Sequence, residues 1–383
     1  MSSEVVTSEP GAPVSQAQSG RDGAHPLAGL GAVGETLVRS LVPVLLALVA
    51  GGLVLMTLGA NPITFYENVW SGGVDYSAWQ DTVMRMAPLL LIACGLIFVF
   101  KAGIWNLGMD GQFLLATAVI SGMGPALLGD IPNWLLFVVL FVVAALVGAV
   151  WTIVPALLRA YYGVNEIITT LMMTFIGINL ANILIKGPFQ DVASNVPQTR
   201  SIPYTDLLPT IPGTRIHVGV IVALIAAVVT WYAMSRTSFG LRLAVLGANA
   251  RAAAHVGISV PRLIVVSFFV SGAFVGLAAA AEILGIWGYV RADWNPAYGL
   301  LVVPLVFLAR FNAIAVIPFV AFLALLTIGG DLATQEAGVS NKFTLLLVGL
   351  ILLFMGVTEL LGRRRNLGQS YLQGIRRKAR SVT

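Results

Sequence analysis

The chain has 383 residues, long enough for about two or three soluble domains by length, but its composition excludes that reading. Apolar residues make up 58% of it and charged residues 10%, against roughly 45–50% and roughly 25% in soluble domains, and the mean hydropathy is +0.90. The one cysteine, Cys94, lies in an apolar run and excludes a disulfide scaffold; the net charge of +5 comes with no basic stripe interleaved with aromatics and gives no nucleic-acid signal. The class is an all-α polytopic protein of the lipid bilayer.

Residues 1–36 are rich in Ser, Gly, Ala and Pro, and the acids Glu4, Glu9, Asp22 and Glu35 outnumber Arg21. They read as a disordered cytoplasmic tail. The first apolar run starts near residue 40 behind a polar lead without a basic stretch, so it reads as a retained span and not a signal peptide. Membrane-spanning helices are expected over 38–59, 83–101, 109–127, 134–157, 165–185, 217–235, 262–285, 298–309, 312–329 and 343–361, about ten in a permease domain of residues 37–361. The weakest are 109–127 and 298–309. Pro304 with neighbouring Gly and Asn marks 298–309 as a broken or half-length helix, tolerated at membrane depth only when packed in protein or lining a cavity.

With the N-terminus inside, Arg39, Lys101, Arg159, Arg236, Arg242, Arg251, Arg262, Arg310 and the basic tail 362–383 fall on the cytoplasmic face. Most acids of the loops fall on the other face, as does a smaller set of basic residues. Both termini are then cytoplasmic, in a cell membrane. The tail should lie against anionic headgroups. Trp105-Asn106 follows the second span and Trp294-Asn295 the seventh; each precedes a Gly and a weak span, an echo that would make inverted halves.

Several chemistries are missing. No Gly precedes a Lys, so no P-loop is present. His25, His217 and His255 are scattered and make no metal site. No Gly-x-Ser-x-Gly elbow and no selectivity-filter run occurs. The informative cytoplasmic segment is 236–262: Asn249 can cap a short Ala-rich helix through His255, and Gly257 can stop it. Such a helix packs into a partner's groove; the plainer reading is a solvated loop.

Here the sequence resembles a known family. Residues 247–258, Gly-Ala-Asn-Ala-Arg-Ala-Ala-Ala-His-Val-Gly-Ile, resemble the Gly-x-Asn-x-x-Ala-x-x-x-Gly-Ile coupling segment of ABC importer permeases of the ribose, branched-chain amino acid and nucleoside superfamily. Residues 103–112, Gly-Ile-Trp-Asn-Leu-Gly-Met-Asp-Gly-Gln, are similar to the Gly-x-Phe-Asn-Ile-Gly-x-Glu-Gly-Gln motif of its nucleoside permeases, with Trp105 for Phe and Asp110 for Glu. Residues 163–172, Gly-Val-Asn-Glu-Ile-Ile-Thr-Thr-Leu-Met, are similar to that subfamily's third motif. The resemblance implies a nucleoside import permease without catalytic residues. It implies a second permease subunit, identical or paralogous, a cytoplasmic ATPase carrying ATP and Mg, and an extracytoplasmic binding protein. It places ATPase coupling on Gly247, Asn249, Ala250, Arg251, Ala253 and Gly257.

Pathway candidates are Trp105, Asn106, Asp110, Gln112, Asn165, Glu166, Thr169 and Glu282. Polar groups at membrane depth face protein or a cavity, since each would cost several kcal/mol unpaired in lipid. Asn and Gln both donate and accept, which suits a nucleobase edge; interhelical hydrogen bonding is the alternative. Glu166 reads either as a carboxylate on a helix N-terminus beside Asn165 or as a gate. Arg291 is the expected partner of Glu282. Gly272 and Gly276 have the spacing of close helix packing. Trp287, Tyr289 and Trp294 fit an interfacial belt or a stacking platform. The rival readings are a sibling permease for sugars or branched-chain amino acids, and an ion-coupled secondary transporter with Glu166 or Glu282 as proton site.

Overall fold

The computed structural model describes residues 26–340 and 342–366. These form helices and connections, with no strand beyond isolated bridges among the described residues. The helices are α1 (Pro26–Thr57), α2 (Pro62–Val74), α3 (Ala78–Lys101), α4 (Met109–Leu127), α5 (Asn133–Trp151), α6 (Ile153–Tyr162), α7 (Glu166–Lys186), α8 (Gly219–Arg236), α9 (Ser238–Ala248), α10 (Ala250–His255), α11 (Val260–Glu282), α12 (Tyr298–Leu308), α13 (Val316–Glu336) and α14 (Phe343–Asn366). A π turn over Ile283–Trp287 continues α11.

Each span expected from hydropathy has a helix. By length and composition, however, six of the helical stretches can cross a membrane, or seven if α1 and α2 count as one. The ten-span count reduces because α12 is an 11-residue helix, because α1 and α2 are bent by 118° at their break, because α14 supplies only the shorter apolar stretch Leu345–Thr358, and because α4, which opens with Asp110 and Gln112, is not among the six. Helix α2 escapes a hydropathy scan, since Tyr66, Glu67, Asn68, Ser71 and two Gly dilute it. Its start is nonetheless written locally: Asn61 accepts from Ile63 N–H at 3.0 Å, and Pro62 occupies the first position. The tail boundary also moves: α1 begins at Pro26, because the Leu and Val spacing over 27–38 continues the helical period into the first span. Residues 1–25 and the basic tail beyond Asn366 lie outside the described residues.

Helix α3 is the centre of the bundle, buried from Ala87 through Phe100. It packs against α11, whose other face meets α5. There Gly272 and Gly276 oppose Gly148 and Ala144 so closely that a Cβ on Gly276 would run into the Ala144 carbonyl. Small residues permit that approach, and packing is what joins helices where lipid removes the hydrophobic drive. On α5, Trp134, Val138, Val142, Leu146 and Val150 recur every four residues and are all exposed. An apolar stripe of that period is a lipid-facing surface or an interface with another chain.

Candidate translocation and coupling sites

The first motif leaves the end of α3 as an extended segment and does not turn straight into α4. Asn106, with no exposed surface, is its hub. Its Oδ1 accepts from Gly108 N–H at 3.1 Å and from Gln112 Nε2 at 3.0 Å, and its Nδ2 donates to Ser271 Oγ at 3.1 Å. Gln112 is equally buried. Leu107 N–H donates to Thr170 Oγ1 and its carbonyl accepts from Thr174 Oγ1, each at 3.2 Å. The motif thus meets α7 at Thr170 and Thr174, about 6 and 12 Å along the helix from Glu166. Helix α4 therefore starts inside the bundle, and a Cβ on Gly111 would sit 2.7 Å from the Thr174 Cα.

The second Trp-Asn segment comes from the opposite end. Gly288, with φ of 69°, turns the chain after the π turn, and Ala292 N–H donates to the Pro197 carbonyl at 2.9 Å. The chain then dips until Trp294 packs on Phe113 of α4, 6.2 Å between centroids. Helix α12 begins there and runs back towards the end carrying α9 and α10, where Phe307 meets Phe100 and Trp105. The starts of α4 and α12 meet: Gly299 N–H, in the first turn of α12, donates to Asp110 Oδ1 in the first turn of α4 at 2.8 Å. A carboxylate on free N–H groups of a helix start is favoured by the helix dipole.

Glu282 does not pair with Arg291. The π turn and Gly288 carry Arg291 away to an outlying connection, where it bonds Tyr289 Oη at 3.3 Å. Glu282 instead faces α3 and pairs with Arg85 at 2.6 Å, fully buried. Tyr298 of α12 bonds both residues, its hydroxyl lying 3.1 Å from Glu282 Oε1. Trp287 Nε1 donates to the same oxygen at 2.9 Å. Arg85 and Tyr298 are site residues the sequence reading passed over, although a lone Arg inside an apolar span is a signal for a functional or paired charge.

Glu166 is also paired, with Arg159 Nε at 3.3 Å across the α6–α7 elbow, and is mostly buried. Asn165 caps α7 by accepting from Ile167 N–H at 2.9 Å. Thr169 Oγ1 donates to the Asn165 and Glu166 carbonyls. These three residues are held by local bonds at the helix start, at the same end as α9 and α10, and are not brought to the Asn106 hub.

The segment 236–262 folds as two helices. Asn249 caps α10, accepting from Arg251 and Ala252 N–H at 3.0 and 3.1 Å, and Gly257 ends the turn with φ of 79°. Ala250, Arg251 and Ala252 are exposed, whereas Ala253 is fully buried against its own chain. Gly247, near the end of α9, lies directly on Gly103: a Cβ on Gly103 would be 3.2 Å from the Gly247 Cα, and one on Gly247 would collide with the Lys101 carbonyl. The segment 236–262 thus touches the start of the first motif backbone to backbone. No cluster of metal-ligating side chains occurs among the described residues.

The family described as "Branched-chain amino acid transport system / permease component" matches residues 80–356. The chain is 32% identical over 334 residues to the glucose ABC transporter permease protein TsgB13 of Haloferax volcanii, covering 84% of this chain and 87% of that one. It is 29% identical over 325 residues to the guanosine ABC transporter permease protein NupP of Bacillus subtilis, covering 83% and 92%. Over 248 residues it is 29% identical to the nucleoside ABC transporter permease protein NupB of Lactococcus lactis, covering 62% and 68%.

Proposed function

Because the chain belongs to this family of ABC permease components, and is a multi-pass transport component of sugar or nucleoside type and not an enzyme, we propose that it forms half of an ATP-driven nucleoside importer in the cell membrane. The observation that carries a transport path is the Asp110–Gly299 junction, where the start of the half-length helix α12 meets the start of α4 inside the bundle. Broken helices meeting at mid-depth are the common place for a transported ligand. The nucleoside class is supported by the relatives NupP and NupB and by the motifs at 103–112 and 163–172.

In this reading the α9–α10 end is cytoplasmic, in keeping with Arg236, Arg242, Arg251 and Arg262 around it. ATP and Mg act on a separate ATPase subunit that grips the exposed face of α10. Closure of that subunit moves α9, Gly247 pushes on Gly103, and the motion reaches the Asn106 hub within six residues of chain. A second permease subunit completes the path, and an extracytoplasmic binding protein delivers the substrate at the far end. A buried Arg85–Glu282 pair and a capped Glu166 favour this over proton-coupled transport, since both carboxylates are already neutralised by a cation.

The test is uptake of labelled guanosine, uridine, glucose, ribose and leucine by cells with the chain deleted and restored. Loss and recovery of nucleoside uptake supports the reading. Loss of glucose uptake alone moves the substrate to the sugar class, the second reading, which the 32% identity to TsgB13 favours.

A further inference from the structure

A cleft of about 390 Å³ opens beside the second Trp-Asn segment, lined among others by Arg85, Trp287, Trp294, Asn295, Tyr298 and Asp331. Its volume falls in the lower part of the roughly 300–1,000 Å³ range of small-molecule sites. A smaller recess of about 120 Å³ lies on the other side of the same two tryptophans. Nothing in the coupling path described above uses this cleft.

Its aromatic wall is built to stay in place. Trp287 is 41% exposed and offers an indole face to the cleft. Yet its N–H is tied to Glu282, which Arg85 and Tyr298 hold from two other helices. Trp294 stands against it at 65° with 6.4 Å between centroids, and is backed by Phe113. The loop between them is pinned in strained backbone: Asp293 and Ala297, neither a glycine, have φ of 61° and 55° and bracket Trp294, Asn295 and Pro296. Strain of that kind persists where the surroundings over-determine the backbone, and it gathers at ligand sites.

The polar wall selects by charge. Arg85 is matched by Glu282, and the exposed Asp331 and Lys342 offset each other, so the cleft has no net charge. That disfavours a ligand of net charge such as a phosphate and fits a neutral one. Asn295 accepts from Ala297 N–H through Oδ1 at 2.8 Å, which leaves its amide NH₂ as a donor. Asp331 supplies an acceptor for N–H or hydroxyl groups. A fixed corner of two indoles with a neutral donor–acceptor rim matches a flat heterocycle with polar edges better than a charged solute.

We propose that this cleft is a binding site for the base of a neutral nucleoside, stacked on Trp294 against Trp287, on the way to the Asp110–Gly299 junction. The proposal rests on the importer reading above and deepens it by placing the substrate. Preset tryptophans lower the ordering cost of capture, and base–aromatic stacking tolerates different bases.

The test uses the purified full-length chain in lipid nanodiscs, titrated with guanosine, uridine, ribose and glucose while tryptophan fluorescence is read. Saturable quenching by both nucleosides, and none by ribose or glucose, is expected. Trp294→Ala should weaken it about tenfold, the loss of one stacked base. Trp294→Phe should stay within about threefold, which separates stacking from misfolding, and Trp134→Phe on the exposed stripe of α5 should change nothing in the apparent affinity. Absence of nucleoside-dependent quenching, or quenching that Trp294→Ala leaves intact, overturns the site. Equal quenching by glucose overturns the base as occupant. The uptake assay reports separately on the importer reading, since it can fail or succeed whatever the fluorescence shows.

Discussion

Around Asn106 and Asn295 the chain makes the same side-chain-to-backbone bond twice, in turns of different backbone conformation. Each Asn follows a Trp, accepts from the N–H two residues on, and precedes a helix start by three residues. The outcomes differ. Asn106 is sealed between Gln112 and Ser271, and its segment reaches back to α9 through Gly103. Asn295 remains exposed beside an open cleft, and its segment is anchored from behind by Glu282. Local chemistry decides that a helix begins at each place. What surrounds the amide decides whether it is a structural hub or a group free to meet a ligand.

The largest expected effect breaks the anchor of the second segment. Glu282→Ala leaves Arg85 buried without its partner and should cost about 3–5 kcal/mol, read as a lowered melting temperature of the purified chain. Removing both charges, as Arg85→Met with Glu282→Leu, should recover most of that loss. A single variant that melts within about 1 kcal/mol of the original would show the cluster is not what holds α12 in place.

Next comes the hub. Asn106→Leu strands the Gln112 amide and the Gly108 N–H, and should cost about 2–4 kcal/mol, the lower part of the sum of two unsatisfied groups at about 1–3 kcal/mol each. Gly247→Ala is a smaller insult of about 1–3 kcal/mol from overpacking against the end of α3. Its distinguishing readout is the ratio of ATP hydrolysed to substrate carried, which should rise while the chain still reaches the membrane. An unchanged ratio would break the Gly103–Gly247 link.

Helix α10, the proposed coupling helix, separates seating from partner contact. Asn249→Ala removes a cap that serves two N–H groups and should cost about 1 kcal/mol. Ala252→Glu, on the exposed face, should alter stability by no more than about 0.5 kcal/mol yet reduce co-purification of the ATPase subunit. Ala253 turns into its own chain, so a bulky acid there reports on seating alone. The smallest effect closes the comparison: Asn295→Ala should shift stability by about 0.5 kcal/mol or less, because its turn is open to solvent. A loss as large as that of Asn106→Leu would mean the two turns carry equal structural weight.

Much of this was legible along the chain. The apolar runs located the helices because a membrane span must satisfy its backbone internally over a fixed length. Asn249, Asn165 and Gly257 announced their turns because capping and left-handed stops are local. Pro304 and the short run at 298–309 announced a half-length helix. Helix α2 stayed hidden because a bent, mixed-polarity helix has no hydropathy signature. The partner of Glu282 was misjudged because Arg291 is near in sequence, whereas Arg85 is brought close only by the packing of α3 on α11.

Composition and pattern alone therefore determined the class, the run of helices, their caps and the family to which the motifs belong, since each depends on residues within a few turns of one another. Tertiary structure decided the rest: that α4 and α12 begin inside the bundle and meet at Asp110 and Gly299, that Gly247 rests on Gly103, and that Trp287 and Trp294 share a cleft. Those contacts join residues many tens of positions apart, and their geometry follows from how closely glycine-bearing helices approach and where a buried charge finds its partner, which no single stretch of sequence encodes.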